Sequence, residues 1–257
     1  MKRSCTVLLI ALLTFITAQP DVHALQLRVI TEDWPPLSYL DNGEPRGMAV
    51  EIVEELLNRV RIPAQVHVIP WNLGWELASS EPNVLLFSMV YTEERAKQFK
   101  MIGAIAVGAT KFYARKGSGI TLASIEEAKQ GHRISTYHKT YEEQFLKKQR
   151  FTNFVSVENP IEAAQKLMEG EVDLWINVEP GTGPILREAG YAPNDVEAVL
   201  TVSEELFYIA FSEATPDGTV AVWQEKLNAM KQDGTFEEIY HKWFPGKTLP
   251  PEVLKLN

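Results

Sequence analysis

WPPLSYLDNGEPRGMAVEIVEELLNRV, residues 34–60, is the stretch whose reading decides the fold. Pro35 and Pro36 end any strand that precedes them, and Asn42-Gly43 is a strong turn signal. From Met48 to Val60, the apolar residues Ile52, Val53, Leu56, Leu57 and Val60 recur at helical spacing. Glu51, Glu54, Glu55 and Arg59 lie between them and read as a solvated face, and Pro63 stops the helix. Residues 25–31 (LQLRVIT) before the segment and Gln65–Ile69 after it are β-rich runs. Strand, turn, amphipathic helix and strand in that order are the opening of an α/β layer.

The same alternation continues outward. Asn83–Ser88, Lys111–Arg115, Arg133–Thr136, Phe154–Val157, Val172–Ile176, Val196–Val202 and Leu206–Phe211 read as strands. Between them, Thr92-Glu93-Glu94-Arg95 reads as a capped helical turn and Ser124 to Glu127 as a capping box. Tyr141–Lys148, Ile161–Met168, Pro184–Ala189, Val220–Lys231 and Phe236–Trp243 read as helices. Alternating strands and helices predict mostly parallel sheets with helices on both faces. The 257 residues allow two units of roughly 100 residues each, with no repeat or Gly/Ser linker to mark a boundary.

Composition narrows the function. The chain is 45% hydrophobic and 23% charged, within the globular range, with a net charge of −9. An acidic surface repels a phosphate backbone, so nucleic acid is not expected as a partner. Residues 1–24 carry Lys2 and Arg3, then an apolar run of about 14 residues, then Val22-His23-Ala24. This is the pattern of a signal peptide cleaved after Ala24; the run falls short of the roughly 20 residues that span a bilayer. Cys5, the only cysteine, would leave with it. The expected product is a soluble, disulfide-free protein of the periplasm, most simply a monomer.

Five segments, taken in order, carry a resemblance. Besides residues 34–60, they are Val68-Ile69-Pro70-Trp71, SMVYTEERAKQF at 88–99, EAAQKLMEGEVDLWI at 162–176 and MKQDGTFEEIYHKWF at 230–244. Together they resemble the bacterial extracellular solute-binding proteins of family three, the amino-acid-binding kind of type II periplasmic binding protein. The resemblance implies two α/β lobes, each a mixed, mostly parallel sheet flanked by helices, joined by two crossing strands. The first lobe would comprise residues 25–110 and 207–257, and the second residues 111–206. Ligand would lie in the cleft and close it by a hinge motion.

The resemblance also implies site residues. Arg95, in Thr92-x-x-Arg95, matches the family's carboxylate clamp, a role suited to the planar guanidinium fork; the plainer alternative is a solvated helix arginine paired with a neighbouring Glu. Ser88 matches a hydroxyl or backbone ligand. Val90 stands where a second hydroxyl is usual, leaving only its backbone N–H. Trp34 and Trp71, and less closely Tyr137, match aromatics that pack on the ligand, although a Trp is as often a core residue. In the second lobe, Thr140 fits the start of an anion-binding helix, while Lys139 replaces a hydroxyl and could add a second cation or point to water. The Asp that usually receives the ligand ammonium falls near Val178; either Glu179 replaces it or the ligand lacks an α-ammonium.

No zinc spacing, P-loop, dinucleotide fingerprint or nucleophile elbow is present, so neither metal nor cofactor is expected. The leading expectation is a non-enzymatic solute-binding protein that captures a small carboxylate-bearing ligand for an ABC permease or a membrane sensor. The alternative is an enzyme resembling the cyclohexadienyl (prephenate or arogenate) dehydratases, with Arg95 and Lys139 holding two carboxylates and Glu179 as general acid.

Overall fold

The computed structural model describes residues 27–251. The expected signal peptide at 1–24 lies outside the described residues. In chain order the chain runs β1 (Arg28–Thr31), β2 (Tyr39–Asp41), β3 (Glu44–Arg46), α1 (Met48–Val60), β4 (Val66–Val68), α2 (Trp71–Ser80) and β5 (Val84–Val90). It continues through α3 (Glu93–Ala96), β6 (Phe99–Arg115), α4 (Ile125–Lys129), β7 (Ile134–Tyr137), α5 (Tyr141–Lys148), β8 (Phe154–Val157) and α6 (Pro160–Met168). β9 (Leu174–Val178), α7 (Thr182–Glu188), β10 (Val196–Ser212), α8 (Asp217–Gln232) and α9 (Thr235–Trp243) complete it.

The hydrogen-bonded order is β4-β1-β5-β10-β6-β9-β7-β8. β1 runs parallel to β4 and β5, and β7 runs parallel to β8 and β9. These parallel triplets form the two lobes. β6 and β10, of 17 residues each, run antiparallel to one another between them. The far end of β10 pairs with β5, and the far end of β6 pairs with β9. Both long strands therefore pass from one lobe to the other.

α1 buries Met48, Ala49, Val50, Ile52, Val53, Leu56 and Leu57, the stripe its periodicity predicts. It is tied to α9 by Lys242 and Trp243 on Glu51, and to the end of α8 by Arg59 on Asp233. A separate core lies in the second lobe, with Phe112, Ile134, Leu146, Phe151, Leu174 and Ile176 at its centre.

Helix α2 was not expected from sequence, and two strands differ from the sequence reading. The strand expected at Lys111–Arg115 begins at Phe99, because Gly103, Gly108 and several alanines dilute the β signal without breaking the ladder. The two strands expected at Val196–Val202 and Leu206–Phe211 are one strand. The polar Ser203-Glu204-Glu205 that divides them in sequence lies where β10 crosses between lobes, and there Glu205 accepts from Thr110 Oγ1 at 3.1 Å and from Ser203.

Gly47 precedes α1 with φ 127°, and a Cβ there would press against the carbonyl of Leu37. The left-handed backbone and the close approach together require glycine. Gly47→Ala is expected to destabilise the fold by about 2 kcal/mol or more, measured as a lowered midpoint in urea denaturation.

Candidate functional site

Arg95 sits on the short helix α3, whose N-cap Thr92 accepts from the Arg95 backbone N–H at 3.0 Å. Its neighbours Glu93 and Glu94 are exposed, but Arg95 itself is 2% exposed. Nη1 donates to the Val90 carbonyl at 3.1 Å, and Nε donates to Oε1 of Gln144, on α5 of the opposite lobe, at 3.3 Å. The guanidinium lies 5.8 Å from the Trp71 ring and 5.1 Å from the Trp75 ring, both in cation–π range. Nη2 is buried and has no partner.

Arg95 lines a small chamber of about 30 Å³ between the lobes. From the first lobe, Trp34, Trp71, Ser88 and Val90 line it beside Arg95; from the second, Tyr137, Thr140 and Glu142. Ser88 Oγ is likewise buried without a partner. The Ser88 backbone is left-handed, with φ 64°, a conformation that costs a serine free energy and that clusters at functional sites. Seven of the nine residues picked out in sequence thus meet at one chamber.

Their roles are not all those the motif suggests. Val90 supplies a carbonyl to Arg95. Thr140 caps α5, accepting from the Glu143 N–H at 3.3 Å and donating to the Tyr137 carbonyl at 2.9 Å. Trp71 donates from Nε1 to the Lys139 carbonyl at 2.9 Å, so Lys139 reaches the cleft through its backbone. The Lys139 side chain does not line the chamber, and neither does Glu179, whose carboxylate pairs with Lys111 at 2.7 Å. Val178, in the position where the family usually has Asp, does line it.

The sequence reading passed over two acids here. Glu32 follows β1, and Glu142 lies in the first turn of α5; both side chains are buried in the chamber wall. Glu32 accepts from the Tyr137 hydroxyl at 3.0 Å, across the cleft. Burial is the largest influence on Glu32 and pushes its carboxyl to about 8, with Glu142 adding and Tyr137 and Arg95 opposing. Burial likewise raises Glu142 and Tyr137, and lowers Arg95 to about 10. The position of Glu32 at the carboxyl end of a central parallel strand, where α/β proteins bind ligands, is the signal that could have found it. Glu142 reads in sequence as an ordinary helix-start acid.

The lobes touch directly at this cleft. Besides Trp71 to Lys139, Tyr137 to Glu32 and Arg95 to Gln144, Lys148 pairs with Glu94 at 2.8 Å. Gly181 of the second lobe packs so close to the Trp34 indole that a Cβ would overlap it. Among the described residues, no cluster of His, Cys, Asp and Glu could hold a metal ion, and no helix is long and apolar enough to cross a membrane.

Two α/β lobes joined by two crossing strands, shut over a buried guanidinium, define the type II periplasmic-binding-protein fold. The chain belongs to the bacterial extracellular solute-binding proteins, family 3, which residues 27–246 match. Among solved structures, it is similar to a histidine kinase sensor domain with similarity to periplasmic binding proteins: TM-score 0.78, 20% identity, covering 88% of this chain and 98% of that one. It is also similar to an ancestral arginine-binding protein bound to arginine: TM-score 0.74, 24% identity, covering 85% and 97%. A third is the ancestral amino-acid-binding protein AncCDT-1, a precursor of cyclohexadienyl dehydratase: TM-score 0.71, 21% identity, covering 85% and 95%. No curated protein matches the chain in sequence.

Two outcomes are expected. Gly181→Ala should hold the lobes apart, giving a larger radius of gyration in solution scattering than the wild type. The second concerns pH. The folded-state Glu32 carboxyl titrates above its ordinary value of 4.5, so its contribution to stability is complete below that value and is lost as pH rises through about 8. Glu32→Gln, neutral throughout, should flatten the fall in melting temperature between roughly pH 5 and pH 8.5.

Proposed function

We propose that the protein is a periplasmic solute-binding protein that captures a small carboxylate-bearing ligand between its lobes. The observation that carries this reading is the pair of buried donors without partners, Arg95 Nη2 and Ser88 Oγ, on one inter-lobe chamber. A buried unpaired donor is costly, and an acid group from the ligand would relieve both at once. Trp34, Trp71 and Tyr137 would bound the ligand, and Thr140 would begin the wall of the second lobe. Glu32 and Glu142 would receive a ligand ammonium in place of the usual Asp.

The lobes divide at residues 110/111 and 206/207, and the hinge is the crossing of β6 and β10. The chamber is too small for an amino acid, so ligand enters an open form and closure follows. Contacts made by both lobes exist only in the closed form, and that difference is what shifts the population. The closed shape would then be read by an ABC permease or a membrane sensor; the likeness to a sensor domain supports the second as much as the family supports the first.

A second reading is favoured by one observation. Burial pushes the Glu32 carboxyl up to about 8, which favours its protonated form beside the chamber, as a general acid requires. Incubation with prephenate or arogenate, followed by the absorbance of an aromatic product, tests that dehydratase-like role, and turnover would establish it.

Calorimetric titration with a panel of amino acids and dicarboxylic acids tests the binding reading. Against any acid that binds, Arg95→Ala should cost ~2–5 kcal/mol of affinity, roughly 30-fold or more, with the circular dichroism of the fold retained. Unchanged affinity would remove Arg95 from the site.

A further inference from the structure

The two lobes hold different nitrogens of the Arg95 guanidinium. Nη1 donates to the Val90 carbonyl at 3.1 Å, a hold that the first lobe supplies itself. Nε donates its single hydrogen to Oε1 of Gln144 at 3.3 Å, and Gln144 belongs to α5 of the second lobe. Nη2 has no partner. A guanidinium tied at one corner can still swing on its stem. Tied at two corners, with the Trp71 and Trp75 rings beside it, its plane is set. The second tie exists only where the lobes meet.

Gln144 reaches the site through Arg95. Thr140, Tyr141 and Glu142 line the chamber, and Gln144 does not. One turn further along the same face of α5, Lys148 meets Glu94, the residue before Arg95, at 2.8 Å. Two side-chain contacts thus join α5 to α3, and their surroundings rank them. Lys148 and Glu94 are 70% and 59% exposed, so water and salt screen that pair. Gln144 is half-buried and Arg95 is buried, so the hydrogen bond from the charged guanidinium is the stronger tie.

We propose that Gln144 is a positioning residue that fixes the Arg95 guanidinium on a captured acid and thereby sets how long the closed form lasts. The inference rests on the binding reading above. The first lobe can receive the acid without help, because Trp34, Trp71, Ser88 and Arg95 all belong to it. Gln144 adds its bond only once the second lobe has arrived, so its contribution falls on release of the ligand and not on capture.

The probes are L-glutamate, L-glutamine, L-arginine and succinate or, where none of these binds, whichever acid of the wider panel does. Affinity is read by calorimetry, and rates by stopped-flow fluorescence of the chamber tryptophans. Two variants remove the acceptor in opposite ways: Gln144→Leu fills the space and Gln144→Ala clears it. Lys148→Ala removes the exposed pair. Both Gln144 variants should speed dissociation about threefold or more and weaken affinity to match, with association within about twofold of the wild type and its circular dichroism retained. Lys148→Ala should have a smaller effect. A smaller change of dissociation in either Gln144 variant, a loss carried by association, or an equal effect of Lys148→Ala overturns the positioning role and leaves the binding reading standing. Binding by none of these acids overturns both.

Discussion

A guanidinium with 2% of its surface exposed has to be compensated by its surroundings, and this constraint organises the centre of the molecule. The Val90 carbonyl, the faces of Trp71 and Trp75, and the carboxyls of Glu32 and Glu142 gather round it. Gln144 comes from the far lobe and takes Nε. Neither lobe alone surrounds Arg95, so its environment is complete only where the two lobes meet. The left-handed backbone of Ser88 belongs to the same arrangement, because a strained residue persists only where its neighbours over-determine it.

The electrostatics follow from that burial. Desolvation moves acid and base toward each other, Glu32 up to about 8 and Arg95 down to about 10. The chamber consequently holds a cation beside carboxyls whose ionisation burial opposes. A ligand that brings its own charge changes this balance, which makes the cleft responsive to what enters it. The pair between Lys111 and Glu179 stands outside the chamber and leaves the balance alone.

Much of the fold was legible in the sequence, and the reasons are local. α1, α5 and β8 occupy the residues their periodicity predicts, because an apolar stripe packed on a sheet leaves little freedom of register. α2 was not legible. Its apolar residues Trp71, Leu73, Trp75 and Leu77 alternate at a strand-like period of two around Gly74, yet it is a helix that buries Trp71, Gly74 and Ala78. The length of β6 and β10 was hidden because glycines and a polar triplet interrupt a pattern whose hydrogen bonds continue. At the site, Arg95 and Ser88 could be placed by a motif, whereas Glu32 and Gln144 could not. Their importance comes from facing another lobe, a relation that spacing along the chain does not carry.

The ribbon formed by β6 and β10 has one further consequence. Each lobe is entered by one of these strands and left by the other, and the two are bonded along most of their length, with ladder irregularities near Leu200, Ser203 and Tyr208. A single backbone cut in either strand would leave the halves still clasped by the other strand and by the cross-strand ladder. The halves are therefore not separable pieces on a tether. They are coupled like two blades on a shared torsion bar, and any rotation of one against the other would have to twist it.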